Sequence, residues 1–393
     1  VNSSKDTRYS ELFYLALSIS LITIAARATN NMILTTVPLL GRYVLQFNDA
    51  DVGALEALGF VATFISTSLL NPRLDEYRRK RAFVLSNSII LASLLLYPYS
   101  SPLTIWAITA TAGAASGIIM PNLISAASTT SDLKTTERLL AIYTTSLSAS
   151  LIIGPFLETQ ILRSFGYKQV FFAFSALAII AVVLSFSIHF PEGRKHFSGL
   201  EALKSKGFLA ATLSNSTYSV PFAAITTFLA IYAAGRFDLS RSYAYLSFIP
   251  FFAVSFAVRL SLAIFPRRYL RPLFSLSVII TAAGLLSLYL VPDYALFLVA
   301  VSLLGVPHGS IYPMSTIFIA RGTERNMRNA VNSYFLAFNN ILFASVPFAV
   351  GYMATFIGLG LSFLLLVIPV LLSAFLFLAR FADDSIMKRA QGM

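Results

Sequence analysis

Cysteine is absent from the 393 residues. The chain therefore has no disulfide, no thiolate metal site and no cysteine nucleophile. Charge is scarce too: 12% of residues are Asp, Glu, Lys or Arg, where a soluble domain carries roughly 25%. The three histidines, His189, His196 and His308, are scattered, and no Asp or Glu cluster accompanies them. A metal site is not expected from such a set. An intramembrane enzyme would need paired carboxylates or grouped histidines, so no catalytic residue is expected either. No Gly-x-x-x-x-Gly-Lys-Ser/Thr loop occurs, which excludes direct use of nucleotide hydrolysis.

What fills the chain instead is apolar sequence, 57% of all residues. A helix needs about 20 apolar residues to cross the hydrocarbon core. That window predicts twelve spans, near 12–40, 52–72, 82–100, 103–128, 139–162, 169–190, 208–234, 242–265, 272–291, 294–320, 329–355 and 359–380. The expected fold is an all-α integral membrane protein of twelve transmembrane helices in two pseudo-symmetric six-helix bundles. The polar stretch PEGRKHFSGLEALKSKG (191–207) separates residues 1–190 from 208–393.

The net charge of +12 is not spread over one solvated face, so nucleic acid is not expected as a partner. It follows the positive-inside pattern. With both termini cytoplasmic, inner segments hold 22 Lys and Arg residues and outer segments 5, with Arg27 and Arg259 left within spans. The expected setting is the cell membrane, crossed many times.

The halves repeat. GAASGIIMP (113–121) and GVPHGSIYP (305–313) share Gly-x-x-x-Gly-x-x-x-Pro at a displacement of 192. LTTVP (34–38) meets ITTFL (225–229), and Tyr143 meets Tyr334, at 191. Three matches near half the chain length indicate a duplicated six-helix unit. Parallel repeats of this kind place a binding site at their interface near the bilayer midplane.

The repeat also bears on IAARATNNM (24–32). Ala26-Arg27-Ala28 fits a signal-peptide cleavage site behind a basic start and an apolar run. Cleavage there would leave only MILTTVPLL, too short to cross, and would spoil the charge pattern. Span one is expected to run through, with Arg27 near its middle.

Twelve spans as six plus six, a cytoplasmic central loop and a basic loop after span two resemble the major facilitator superfamily over nearly the whole chain. In the loop motif Gly-x-x-x-Asp-x-x-Gly-Arg-Arg/Lys, NPRLDEYRRKR (71–81) keeps Asp75, Arg79 and Lys80, with Asn71 and Arg78 in place of the glycines. The span-four arginine is absent; Thr109 stands there. SLIIGPFLET (150–159) keeps Gly154-Pro155 of the span-five motif, with Ser150, Glu158 and Thr159 in place of glycine. The resemblance implies a secondary transporter whose two halves rock about a midplane site. It implies that spans one, four, seven and ten line the cavity. It further implies a cytoplasmic gate in which Asp75, helped by Arg79 and Lys80, meets the start of span eleven at Arg328.

Within that frame the candidate substrate contacts are Arg27, Asn30, Asn31, Asn215, Tyr218 and His308. A charge in mid-span costs about 3 kcal/mol, so Arg27 must face water, a carboxylate or an anion. Asn31, at i+4, shares its helix face, and Asn30 sits beside it. Tyr218 is the repeat counterpart of Arg27, with Asn215 one turn earlier; His308 is the counterpart of Ser116. Glu56 and Glu158 are the carboxylates within spans, as proton-coupling groups or as ion-pair partners of Arg27. The blander alternatives are interhelical hydrogen bonding for the amides and packing for the tyrosine. The expected substrate is a small polar or anionic solute, with no cofactor, coupling to an ion gradient of protons, and a monomer in the bilayer. The alternative is proton-driven efflux of lipophilic or multidrug compounds, the 34 phenylalanines and 18 tyrosines lining an apolar pocket.

Overall fold

The computed structural model describes residues 2–74, 76–127, 133–188, 190, 200–264, 270–324 and 328–387. Among these no strand occurs. That follows from the sequence, because a backbone without water to bond must satisfy its N–H and C=O groups within each segment. The helices are α1 (Asn2–Tyr43), α2 (Asp49–Ile65), α3 (Glu76–Leu96), α4 (Thr104–Ala127), α5 (Leu133–Ser164) and α6 (Tyr167–Ser185). After them come α7 (Lys206–Phe237), α8 (Arg241–Leu246), α9 (Phe248–Ile264), α10 (Arg271–Leu290), α11 (Tyr294–Gly322), α12 (Arg328–Leu365) and α13 (Val367–Phe381).

Ten stretches among the described residues are long and apolar enough to cross a membrane. One of them, Val331–Phe381, is 51 residues long, far more than one crossing needs. Gly358 (φ 74°, ψ 161°) divides it, in a conformation that a side chain would resist. The long helix α5 adds a further crossing, so twelve passes are accounted for, α8 and α9 forming one of them. The chain is a multi-pass, all-α integral membrane protein.

The chain forms two compact units, Val1–Leu40 with Leu58–Arg194, and Gly41–Ala57 with Lys195–Met393. In the first unit α4 crosses α2 at glycine. A Cβ on Gly113 would lie 2.2 Å from the Gly59 carbonyl oxygen, and one on Gly117 would lie 2.5 Å from that of Thr63. Threonine hydroxyls fasten this crossing: Thr63 donates to the Gly113 carbonyl at 2.9 Å and Thr67 to that of Gly117 at 2.8 Å. The second bond has a covalent cause. Pro121 lacks the N–H that would bond the carbonyl four residues earlier, which is Gly117.

The second unit repeats the crossing with α11 on α9. A Cβ on Gly305 would lie 2.4 Å from the Phe251 carbonyl oxygen, and one on Gly309 would lie 2.5 Å from that of Ser255. Phe251 and Ser255 are 192 residues beyond Gly59 and Thr63. The displacement seen in the glycines thus extends to the surfaces they pack on. Residues 41–57 belong to this unit through α2 and α12, whose backbones touch at Gly53 and Pro347 and at Gly351 and Asp49. After α13 a short strap returns along the helix ends. Lys206 pairs with Asp384 (2.5 Å), Arg271 pairs with Asp383 (3.1 Å), and Arg321 donates to the Ile386 carbonyl (2.9 Å).

Candidate functional site

In the first unit the functional candidates lie along α1. Arg27 is half-buried. Asn31, one turn on, is 2% exposed, and its side-chain nitrogen has no hydrogen-bond partner. The Thr29 hydroxyl is also buried without one. Asn30 and Thr29 line a small cavity with Asn87 and Ser116, between α1, α3, α4 and α6. The Asn87 amide nitrogen donates to the Phe83 carbonyl at 2.8 Å. The space suits about one water molecule, which such convergent polar groups would hold. Asn30 therefore turns into the first bundle.

Glu158, on α5, is fully buried. Its Oε2 accepts from the Thr35 hydroxyl at 3.0 Å and from the Thr36 hydroxyl at 2.9 Å. These hydroxyls lie two turns beyond Arg27 on α1. Sequence reasoning used both threonines only to establish the repeat. Their position as adjacent hydroxyls inside a span was the available signal. Glu56 is 4% exposed, in the part of α2 that belongs to the second unit.

In the second unit Asn215 is committed to the protein. Its Nδ2 donates to the Ser219 hydroxyl and to Asn339 Oδ1, both at 2.6 Å, tying α7 to α12. Tyr218 is 4% exposed, and its hydroxyl has no hydrogen-bond partner. The His308 ring centroid lies 5.5 Å from that of Tyr218 and 4.3 Å from that of Phe222. Phe251 completes the surround at 5.2 Å. The Ser255 hydroxyl is 2.6 Å from His308 Nδ1, and Arg259 Nη2 lies 3.4 Å from the His308 carbonyl oxygen. The packing of α7 against α11 brings Tyr218 and His308 together. Ser255, Arg259 and Asn339 were missed as neighbours. The first two are the counterparts of Thr63 and Thr67 at displacement 192, a match that only the packing reveals.

Of the gate candidates, Asp75 and the side chain of Arg328 lie outside the described residues. Arg79 reaches the Leu74 carbonyl at 3.4 Å. Lys80 donates to the carbonyls of Phe186 and Ile188 just beyond α6, where free carbonyls and the helix dipole favour a cation. Among the described residues no group of three His, Cys, Asp or Glu side chains could hold a metal.

The architecture has known counterparts. A bacterial homologue of the human lysosomal transporter Spinster, inward-facing and unoccupied, superposes with a TM-score of 0.77 at 14% identity, over 97% of this chain and 99% of that one. A point mutant of the nucleoside transporter NupG gives a TM-score of 0.73 at 16% identity, over 93% and 100%. No curated protein sequence matches the chain. The model of the Major Facilitator Superfamily matches residues 19–271 and 262–391. With this match over almost its whole length, the chain belongs to the Major Facilitator Superfamily, and its fold is that of a secondary transporter working by alternating access.

Proposed function

We propose that the chain moves a small polar or anionic solute across the cell membrane, driven by a proton gradient. The observation that carries this reading is on α1: a guanidinium, Arg27, and one turn later the Asn31 amide donor with no protein partner. A cation and a free donor at membrane depth suit a carboxylate, phosphate or polyol. A buried donor left unmet costs about 1–3 kcal/mol, so an occupant that meets it is favoured. Tyr218 and His308 supply contacts in the second bundle. A nucleoside transporter among the fold neighbours is in keeping with a small polar solute. The charge asymmetry supports cytoplasmic termini, with Asp75, Arg79 and Arg328 closing that side, and the transporter acts as a monomer. Glu158 is the better proton carrier of the two carboxylates, because the hydroxyls of Thr35 and Thr36 hold it in a defined place.

A second reading has its own observation. Tyr218, Phe222, Phe251 and Phe343 form a continuous aromatic group beside His308, which would suit a lipophilic compound. Counterflow in proteoliposomes, preceded by a thermal-shift screen of metabolites and drugs on wild type and Arg27→Ala, separates the two. Solute reading: polar or anionic solutes exchange, and Arg27→Ala abolishes exchange. Exchange of lipophilic cations alone, untouched by Arg27→Ala, would transfer the case to efflux.

A further inference from the structure

The first unit carries a guanidinium on its lipid-facing side. Helix α3 packs against α4 and α6 and buries Phe83, Asn87, Ile90 and Leu94. Helical spacing puts Tyr77, Arg81, Leu85, Ala92 and Leu96 on the opposite face, and all five are exposed. In a multi-pass membrane protein that face meets lipid.

The ends of the span give the depth. Tyr77 and Tyr99 bound a stretch of 23 residues, and both are exposed. Those residues rise about 33 Å, close to the hydrocarbon thickness of about 30 Å. Exposed tyrosines at that separation match the two interfacial belts. Tyr77 thus marks the headgroup level on the side of the basic loop. Arg81 lies one turn inside that level. Its guanidinium carbon is 4.2 Å from the Tyr77 ring centroid, so the side chain reaches back toward the interface.

The rest of the basic run has other duties. Arg79 reaches the Leu74 carbonyl, and Lys80 closes the end of α6. Among the described residues Arg81 pairs with no carboxylate, and its contact is the Tyr77 ring. Glu76, five residues earlier, does not share its helix face. Orienting the chain needs basic residues in the loop, which Arg73 and Arg78 supply. It does not need a guanidinium on the lipid face.

We propose that Arg81 and Tyr77 form a headgroup site for an anionic phospholipid, whose phosphate accepts from the guanidinium and whose acyl chain runs along Leu85, Ala92 and Leu96. The planar fork matches two phosphate oxygens. The tyrosine ring holds the cation at the level where phosphates lie. Arg73 and Lys80 add positive charge to the same end of the bundle and favour an acidic headgroup over a zwitterionic one. The site is on the lipid face, so its failure would leave the transport reading standing.

The test uses the full chain purified in detergent and titrated with phosphatidylglycerol, phosphatidylcholine or soluble glycerol 3-phosphate. Native mass spectrometry counts the bound lipid. Wild type should hold one phosphatidylglycerol more tightly than any further copies and prefer it to phosphatidylcholine. Arg81→Gln should weaken that first site about fivefold or more. Arg81→Lys, which keeps the charge and loses the fork, should weaken it less. Tyr77→Leu should weaken it, and Tyr77→Phe should not. Arg73→Gln removes the same charge from the loop and should change it little. Equal losses in Arg81→Gln and Arg73→Gln would reveal a diffuse basic field and overturn the site. Equal affinity for the two lipids, or displacement of phosphatidylglycerol by equimolar glycerol 3-phosphate, would also overturn it. Should Arg81→Gln not fold, unchanged affinity in both Arg81→Lys and Tyr77→Leu has the same consequence.

Discussion

The Thr36 hydroxyl donates to Glu158 Oε2 over 2.9 Å, whereas its repeat counterpart, Thr227, donates to the Ala223 carbonyl of its own helix. The difference lies at one position. Displacement by 191 carries Glu158 onto Ala349, a side chain that cannot accept a hydrogen bond. The repeated threonines are kept, and at this pair the partner differs between the copies.

Glu158→Gln should therefore keep thermal stability close to wild type, since an amide oxygen still accepts from both threonines. Glu158→Ala should cost about 1–2 kcal/mol, because Thr35 and Thr36 can turn back onto α1 as Thr226 and Thr227 do on α7. In proteoliposomes both variants should lose uptake driven by a proton gradient and retain counterflow. Wild-type gradient dependence in Glu158→Gln would remove Glu158 as the proton carrier.

The bond from Thr67 to the carbonyl freed by Pro121 predicts a coupled pair. Thr67→Val should cost about 1 kcal/mol by stranding that carbonyl. In a Pro121→Ala background the new backbone N–H takes over, and the same substitution should cost little. A double-mutant cycle on unfolding midpoints reads the coupling directly. Strict additivity would mean that the threonine is not serving the proline-freed carbonyl.

Glycines in the interhelical crossings should tolerate nothing larger. Gly113→Val and Gly305→Val should abolish folded expression, because each added side chain meets backbone that cannot move aside. Gly235, on α7, has nothing within 4 Å of an added Cβ. Gly235→Ala should fold and gain up to about 1 kcal/mol from helix propensity. Fluorescence size-exclusion chromatography distinguishes these outcomes in small cultures.

The strap after α13 should respond to acid. Partial burial pushes the Asp384 carboxyl up, but the Lys206 ammonium and the Ile386 N–H more than offset this and hold it below its ordinary value. A carboxyl depressed on folding contributes stability that is present above its unfolded value of about 3.9 and is lost as pH falls through the folded value. Wild type should melt above Asp384→Asn at pH 7, and the gap should close on acidification toward about pH 3. A gap that widens in acid would contradict the assignment.

The sequence by itself determined the membrane class, the twelve crossings, the duplication and the family. Hydropathy, loop charge and a fixed displacement are properties of the chain read linearly, and lipid allows an apolar run little choice but a helix. Helical spacing also placed Arg27, Asn30 and Asn31 within one turn. Only the tertiary structure decided what each of them faces. Asn30 and Asn31 are about 100° apart around α1, and the packing of α3 and α4 turns Asn30 into the first bundle's own small cavity. Glu158 went to two threonines noticed only as a repeat, and Arg259 to the side of His308. Those partners depend on which helix faces meet and at what level. That is set by where glycines let backbones touch, and no single helix carries that information.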